Sequence, residues 1–373
     1  MKKIALFLLL LLALAFACGD GDNGSGVPVL VTTLPTTEIV SFVRVPESDN
    51  KLSCYFGVNK IGGKMVFGTY GYQNGDHSCE IYEYPHIKTV SFNAESVMQI
   101  EKHDGKYYLT LEHGKYKTVD KAMIMRLEGS EWKEVYRSDH AVIAIGLKSH
   151  VDGYLYATIP GSDSPNSDIV RSKSGNSGTW EKWYTNTNEY RFFGIDSLGN
   201  NLLIAASSSL GDWGGNTQPS IFVNKGLHWR DTSRTGDGFW AAVSFKGEGY
   251  VGGTGHARVV RVSDKKTVLD KPDFCTVHGF VVDKAQNTLF AMFNREDSSI
   301  LPGTEVWATK DGNNWYRVGS PLNTAMLFAG YYDEETGEVW LVGGRWAQGT
   351  DPGYGHVFKG VRGMERDGHK LSA

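Results

Sequence analysis

The chain reads as an all-β protein, a β-propeller of seven blades, and three observations carry that prediction. Four tryptophans follow the same kind of turn: Trp132, Trp180, Trp229 and Trp315 close the runs 128–132, 174–180, 224–229 and 309–315. The first three lie about 48 residues apart, and the fourth falls roughly two such periods further on; a repeat of ~40–50 residues with four short strands is the sequence form of a propeller. Helical periodicity is nearly absent, and short runs rich in Val, Ile, Tyr, Phe and Trp alternate with Gly, Asn, Asp and Ser.

The first residues are a targeting segment. Lys2 and Lys3 precede an apolar run from Ile4 to Phe16, too short for a comfortable membrane span. Small residues then lead into a cysteine, Ala15-Phe16-Ala17-Cys18-Gly19. This run resembles the lipobox of bacterial lipoproteins, with Ala15 at the position usually held by leucine. The resemblance implies a signal peptide over residues 1–17 and a lipid on Cys18. An ordinary secretory signal is the alternative, and either one exports the chain. One acyl chain holds a protein only marginally, at about 0.8 kcal/mol per buried methylene, whereas two or more make a lasting anchor. The implied location is extracytoplasmic, on the outer membrane or cell surface of a bacterium, with the membrane itself a partner through the lipid. Residues 18–37 are small, polar and prolyl, with Pro28, Pro35 and several threonines. They cannot bury enough surface to order themselves and read as a flexible tether. The propeller is expected over residues 38–365, with a short tail over 366–373.

Lys and Arg number 38 against 42 Asp and Glu, for a net charge of −4, and losing Lys2 and Lys3 with the leader brings it to about −6. A mildly acidic body has no electrostatic footprint for nucleic acid and no basic cluster for an anionic membrane. Cys54, Cys79 and Cys275 are an odd set without metal-type spacing, so at most one internal disulfide can form.

Each unit begins with an apolar strand rich in small residues: 141–146, 191–195, 239–243 and 326–330. Glycine and alanine suit innermost strands, which crowd around a narrow axis. A polar turn and a second strand follow, at 105–111, 153–159, 201–206, 288–293 and 338–342. A variable loop then leads to a third strand such as 167–172 or 304–309, a tight turn, and an outer strand opening with tryptophan. Counted this way the units start near Ser53, Asn93, Ala141, Tyr190, Gly238, Cys275 and Thr324. The fifth is compressed, with Lys265-Lys266 as its turn, and six blades is the rival count. The seventh unit has a third strand at 356–360 and no convincing fourth. Residues 38–45 supply one from the other end of the chain, so the ring is expected to close by pairing that strand with 356–360.

Thr309-Lys310-Asp311-Gly312-Asn313-Asn314-Trp315 resembles the Asp-box of sialidase-like propellers. Asp311 would accept hydrogen bonds from turn N–H groups, Gly312 would supply a positive φ, and Trp315 would pack on the neighbouring sheet. The family places these turns on the face away from the active site, which makes all three residues structural. Val43-Arg44-Val45-Pro46 is similar to the motif whose arginine grips the substrate carboxylate in sialidases. The stretch 64–70, where that family carries its proton donor, has no acid before Asp76.

No phosphate loop, dinucleotide fingerprint or nucleophile elbow is present, so no cofactor is expected. The histidines never form a metal-ligand spacing, so no metal is expected. His278 lies within an apolar inner strand and is the histidine expected to face the axis. Long insertions fall between second and third strands, on one face, and carry aromatics and donors: Tyr72, Trp213, Arg345, Trp346 and Tyr354. Aromatic platforms suit sugar faces and protein partners. The expected function is therefore a lipid-anchored module binding a glycan or protein at the envelope. A sialidase-like glycoside hydrolase or lyase using Arg44, and a scaffold of an envelope assembly, are the alternatives.

Overall fold

A computed structural model describes residues 37–73, 76–112, 121–141, 143–161, 167–186, 190–208, 217–295, 303–345 and 353–363. The leader, tether, Cys18 and tail therefore lie outside the described residues. Residues 34–373 form one compact unit. Among the described residues the only helical element is a 3-10 turn at Pro46–Ser48, and no helix is long and apolar enough to cross a membrane.

The rest is antiparallel sheet, arranged as a propeller. Four sheets are built from consecutive strands. The first holds Tyr55–Ile61, Lys64–Thr69, Cys79–Glu83 and Ile87–Phe92; the second Ser96–His103, Lys106–Glu112, Met123–Glu128 and Glu131–Arg137. The third holds Leu147–Ser149, Leu155–Ile159, Ser167–Ser172 and Glu181–Asn186; the fourth Tyr190–Leu198, Asn201–Ser208, Gln218–Val223 and Gly226–Arg230. An eight-stranded sheet follows. It contains the meander Gly238–Phe245, Glu248–Thr254, Arg258–Arg261 and Thr267–Asp270, then the meander Thr276–Asp283, Thr288–Asn294, Thr304–Thr309 and Trp315–Arg317. A single pairing, Thr254 with Thr276, joins the two.

The last sheet takes strands from both ends of the chain. Met326–Asp333, Glu338–Arg345 and Tyr354–Arg362 are completed by Ile39–Arg44. The expected closure is present: Phe42 pairs with Gly360 and Arg44 with Phe358, and the ladder runs down to Ile39 opposite Arg362. Closure is reinforced elsewhere. Tyr55, Phe67 and Tyr82 of the first sheet pack into one cluster with Trp340, Val342 and Val357 of the last. Lys60 also reaches 2.8 Å to both Asp333 and Glu335.

One expected inner strand differs. Of the run 141–146, none of the described residues is in a strand, and the observed inner strand is the short Leu147–Ser149. The lead-in is instead held by single bonds: Ile145 N–H donates to Thr158 O at 3.1 Å, and Gly146 N–H to the Thr158 hydroxyl at 2.8 Å. That hydroxyl takes the place of a ladder carbonyl, which breaks the regular pairing.

Apolar side chains between neighbouring sheets hold the units face to face. Tyr108, Ile124 and Val135 of the second sheet mesh with Leu147, Leu155 and Ala157 of the third, and Trp180 packs against that cluster. The turn after Thr309 forms as its residues dictate. Asp311 Oδ1 accepts from Asn313 N–H at 2.8 Å and Asn314 N–H at 2.7 Å. These backbone donors hold its carboxyl well below the usual range. Gly312 has φ +76°, and a Cβ there would lie 1.8 Å from the Tyr250 hydroxyl of the preceding meander. Gly175 repeats the arrangement against Tyr108, with φ +64° and 2.1 Å to the hydroxyl. The matching position thus packs alike even where Ser174 replaces the acid. Among the described residues no disulfide joins Cys54, Cys79 and Cys275 to one another.

Candidate functional site

The site grows from one irregularity repeated around the axis. In the inner strands, pairing skips one residue near the same point, between Tyr55 and Gly57, Val97 and Gln99, Phe239 and Ala241, Val277 and Gly279, and Leu327 and Ala329, and skips two between Phe192 and Ile195. A β-bulge frees one residue from the ladder and re-aims its side chain. The residues so released are Phe56, Met98, Phe193, Trp240, His278 and Phe328. Ile145 holds the same place before the short strand. The following residue is often glycine because neighbouring inner strands nearly touch there. A Cβ on Gly146, Gly194 or Gly279 would lie 2.7 Å from the Phe193, Trp240 or Phe328 carbonyl oxygen, respectively.

Aimed together, the released side chains form an aromatic collar at the end of the axial channel where the inner strands begin. Phe56 stacks on Phe328, with ring centroids 4.0 Å apart and planes 13° apart. Phe328 lies 5.1 Å from His278, and His278 meets Trp240 edge-on at 5.3 Å. Trp240 stacks on Phe193 at 4.8 Å, and Tyr70 extends the series from Phe56 at 5.6 Å. Below the collar the channel holds about 260 Å³, lined by residues of all the inner strands. The upper mouth holds about 330 Å³ between Phe56, Tyr70, Met98, Trp240, His278 and Glu112, with Ile143 and Ile145 filling in.

His278 and Glu112 are set into this apolar mouth, with Glu95 acting on Glu112 from beside it. His278 Nδ1 lies 3.2 Å from Asn294 Nδ2. The amide is fixed by Leu327, whose N–H donates to Oδ1 at 2.8 Å and whose carbonyl accepts from Nδ2 at 2.9 Å. Nδ1 must therefore accept, and the imidazole proton sits on Nε2. Burial pushes His278 down to about 4, so the ring is neutral at pH 7. Opposite lie two carboxylates. Tyr70 donates its hydroxyl to Glu95 Oε1 at 2.6 Å, and Ser96 donates to Glu112 Oε2 at 2.7 Å. Burial first, then repulsion from Glu95, pushes Glu112 up to about 7 against the Ser96 hydrogen bond. Desolvation and the Glu95 contact raise Tyr70, which keeps its proton.

The other mouth has opposite character. It opens to about 680 Å³ and is lined by charged residues including Lys60, Lys102, Lys148, Glu101 and Asp196. Lys148 Nζ lies 2.7 Å from Asp196 Oδ1. Ser149 N–H donates to Glu101 Oε1 at 3.2 Å and Ser244 N–H to Asp196 Oδ2 at 2.7 Å. These bonds cross from each inner strand to the next and latch the lower end of the channel.

The residues singled out from sequence fall in different places. His278 lines the axial cavity. Tyr354 packs against the cluster that backs Phe56 and Phe328; it stacks on His356 at 4.4 Å, and Arg345 lies over its ring at 5.2 Å. Arg44 ends the outermost strand of its sheet and forks onto Asp49 at 3.0 and 2.6 Å. It lines neither the channel nor its mouths. The turn holding Asp311, Gly312 and Trp315 is at the face opposite the collar. Trp213, Trp346 and the side chain of Tyr72 lie outside the described residues. Trp240, Phe56, Phe328, Tyr70, Glu95 and Glu112 were not singled out. A signal existed for some of them: a large residue followed by glycine or alanine, as in Phe56-Gly57, Trp240-Ala241 and Phe328-Ala329. One grouping among the described residues has metal-ligand geometry, Asp139, His140 and Asp168. Lys182 sits 3.1 Å from both carboxylates and already supplies the positive charge.

No known family model matches this chain, and no curated relative does. Among solved structures it is similar to a streptogramin B lyase, at 12% identity and TM-score 0.51, over 85% of this chain and 96% of that one. A catalytically inactive virginiamycin B lyase from Staphylococcus aureus, solved with quinupristin, aligns at 13% identity and TM-score 0.52, over 86% and 99%. The extracellular domain of a hybrid two-component system from B. thetaiotaomicron aligns at 10% identity and TM-score 0.53, over 82% of this chain and 38% of that one. At these identities the likeness is one of fold.

Proposed function

We propose that this chain is a seven-bladed propeller, lipid-anchored outside the cytoplasm, that binds a glycan- or protein-derived ligand in its upper axial mouth. Seven blades follow from dividing the eight-stranded sheet at its single bridge. The anchor rests on the run Ala15 to Gly19, and an extracytoplasmic setting on the leader before it. The observation that carries the binding reading is the collar: a concave apolar mouth with a few convergent polar groups of shifted pKa is the usual form of a ligand site. Trp240 is its most telling member, because it is large, partly exposed and aimed at the axis by a bulge.

Trp240→Ala is expected to leave the fold cooperative and to weaken ligand retention by about tenfold or more, as loss of an aromatic anchor does. The measurement is a glycan and peptide array probed with wild type and variant, with thermal melts alongside. Equal binding by both proteins would move the site away from the collar.

The carboxylates favour one second reading, a glycoside hydrolase or lyase. Glu112, protonated near neutral pH, would serve as general acid, with Glu95 and Tyr70 as the opposing pair. Reporter glycosides, sialyl ones included, test it with Glu112→Gln as control; no turnover on any of them removes this reading.

A further inference from the structure

Resting on the reading of the upper mouth as a ligand site, we infer that its ligand carries an organic ammonium group, seated on the aromatic collar against the Glu112–Glu95 pair. Two independent features of the mouth converge on this chemistry. The first is the collar itself. Phe56, Trp240 and Tyr70 line one 330 Å³ space, with Phe328 stacked behind Phe56, and ring faces attract cations through their quadrupole, most strongly where water is excluded. The second is charge that the protein leaves unbalanced. Among the described residues no lysine or arginine lines the mouth. Its one basic side chain, His278, is neutral from about pH 5 upward because burial holds it down near 4. The groups acting on Glu112 are a second carboxylate, Glu95, and the Ser96 hydroxyl. Elsewhere the same protein pairs its enclosed carboxylates with cations: Asp196 with Lys148 at 2.7 Å, Asp231 with Arg258 at 2.8 Å, Asp333 with Lys60 at 2.8 Å. Among the described residues no such cation stands at the upper mouth, and a bound ligand would supply one.

A neutral sugar would be served as well by the rings, but it would offer no charge to Glu112. An ammonium group satisfies both features and favours the ionised form of Glu112, so binding and proton release are coupled. The titratable groups around Glu112 are Glu95, Tyr70, Cys79 and His278. Tyr70 and Cys79 are raised by burial and keep their protons, and His278 stays neutral above about pH 5. Glu112, raised to about 7, is the group that changes charge between pH 5 and 8.

The test is calorimetric titration of the full chain with choline, with n-butylammonium, and with 3,3-dimethylbutan-1-ol, the uncharged isostere of choline. At pH 8 at least one cation is expected to bind saturably and the isostere about tenfold more weakly or not at all. Quaternary and primary arms tell a choline-type head from a lysine-type one. Moving to pH 5, or substituting Glu112→Gln at pH 8, is expected to weaken the cation about tenfold or more. Equal binding of choline and its isostere, unchanged by pH or by Glu112→Gln, overturns the ammonium assignment while leaving the mouth a binding site. Absence of saturable binding by either cation overturns the assignment as well. If array ligands are then still lost on Trp240→Ala, the binding reading stands without it.

Discussion

Lys148→Met is expected to lower the stability of the fold by roughly 2–4 kcal/mol at neutral pH, because it strips the cation from two enclosed carboxylates while keeping the length of the side chain. Lys148 is flanked by Asp196 at 2.7 Å and by Glu101. Burial alone would lower the lysine, but the attraction of Asp196 and then Glu101 outweighs it and the ammonium is held charged. Glu101 is already raised by burial despite the neighbouring lysine. Without that lysine both acids must either repel each other or take up protons. The loss therefore shrinks at low pH, where Glu101, raised by burial, becomes neutral in any case. Pairing the substitution with Glu101→Gln should recover part of it. Chemical denaturation at pH 7 and pH 4.5, with the double variant, checks the prediction. A Lys148→Met protein as stable as wild type at pH 7 would show that the lower mouth is solvated and the latch energetically idle.

Glu112→Gln is expected to do the opposite at the other end of the channel, stabilising the protein at pH 8 by up to about 3 kcal/mol while abolishing ammonium binding. The sign follows from the direction of the shift. Glu112 is raised to about 7 in the fold from an ordinary value of 4.5. Its contribution to stability is therefore intact below about pH 4.5 and is lost as pH rises through 7, when the ionised form must be tolerated in an apolar mouth. Glutamine keeps the shape and never ionises. Melting curves of wild type and variant should coincide near pH 4, diverge between about pH 4.5 and 7, and stay apart above pH 7 with the variant higher. Coincidence at pH 8 would mean that water reaches the carboxylate freely. A stability gain bought with lost binding is the usual mark of a functional polar group.

The scaffold was legible in the sequence because its rules are local. Turn residues such as Asp311 and Gly312 fix their own backbone, and alternating strands such as Ser167–Ser172 and Thr304–Thr309 appear with the expected bounds. Even the closure could be read, since the last unit lacked a fourth strand and 38–45 offered one. The collar was not legible in the same way. A bulge is a property of pairing between two strands, so nothing within Phe239-Trp240-Ala241 alone announces that Trp240 leaves the ladder. Glu112 looks like any polar residue ending a strand. Its raised pKa comes from burial and then from Glu95, and both arise only when separate stretches of chain are brought together. Arg44 shows the converse. Its local motif was suggestive, but the topology carries it to the rim, where Asp49 occupies its guanidinium.

The pairing of Ile39 with Arg362 sets how the molecule is presented. Inner strands run away from the collar, and two reversals later Tyr354–Arg362 runs the same way, so the chain enters and departs side by side at the far end of the barrel-like body. The rim of the aromatic cup is therefore left clear of both terminal strand ends of the described propeller, as a spoon's bowl is clear of its handle.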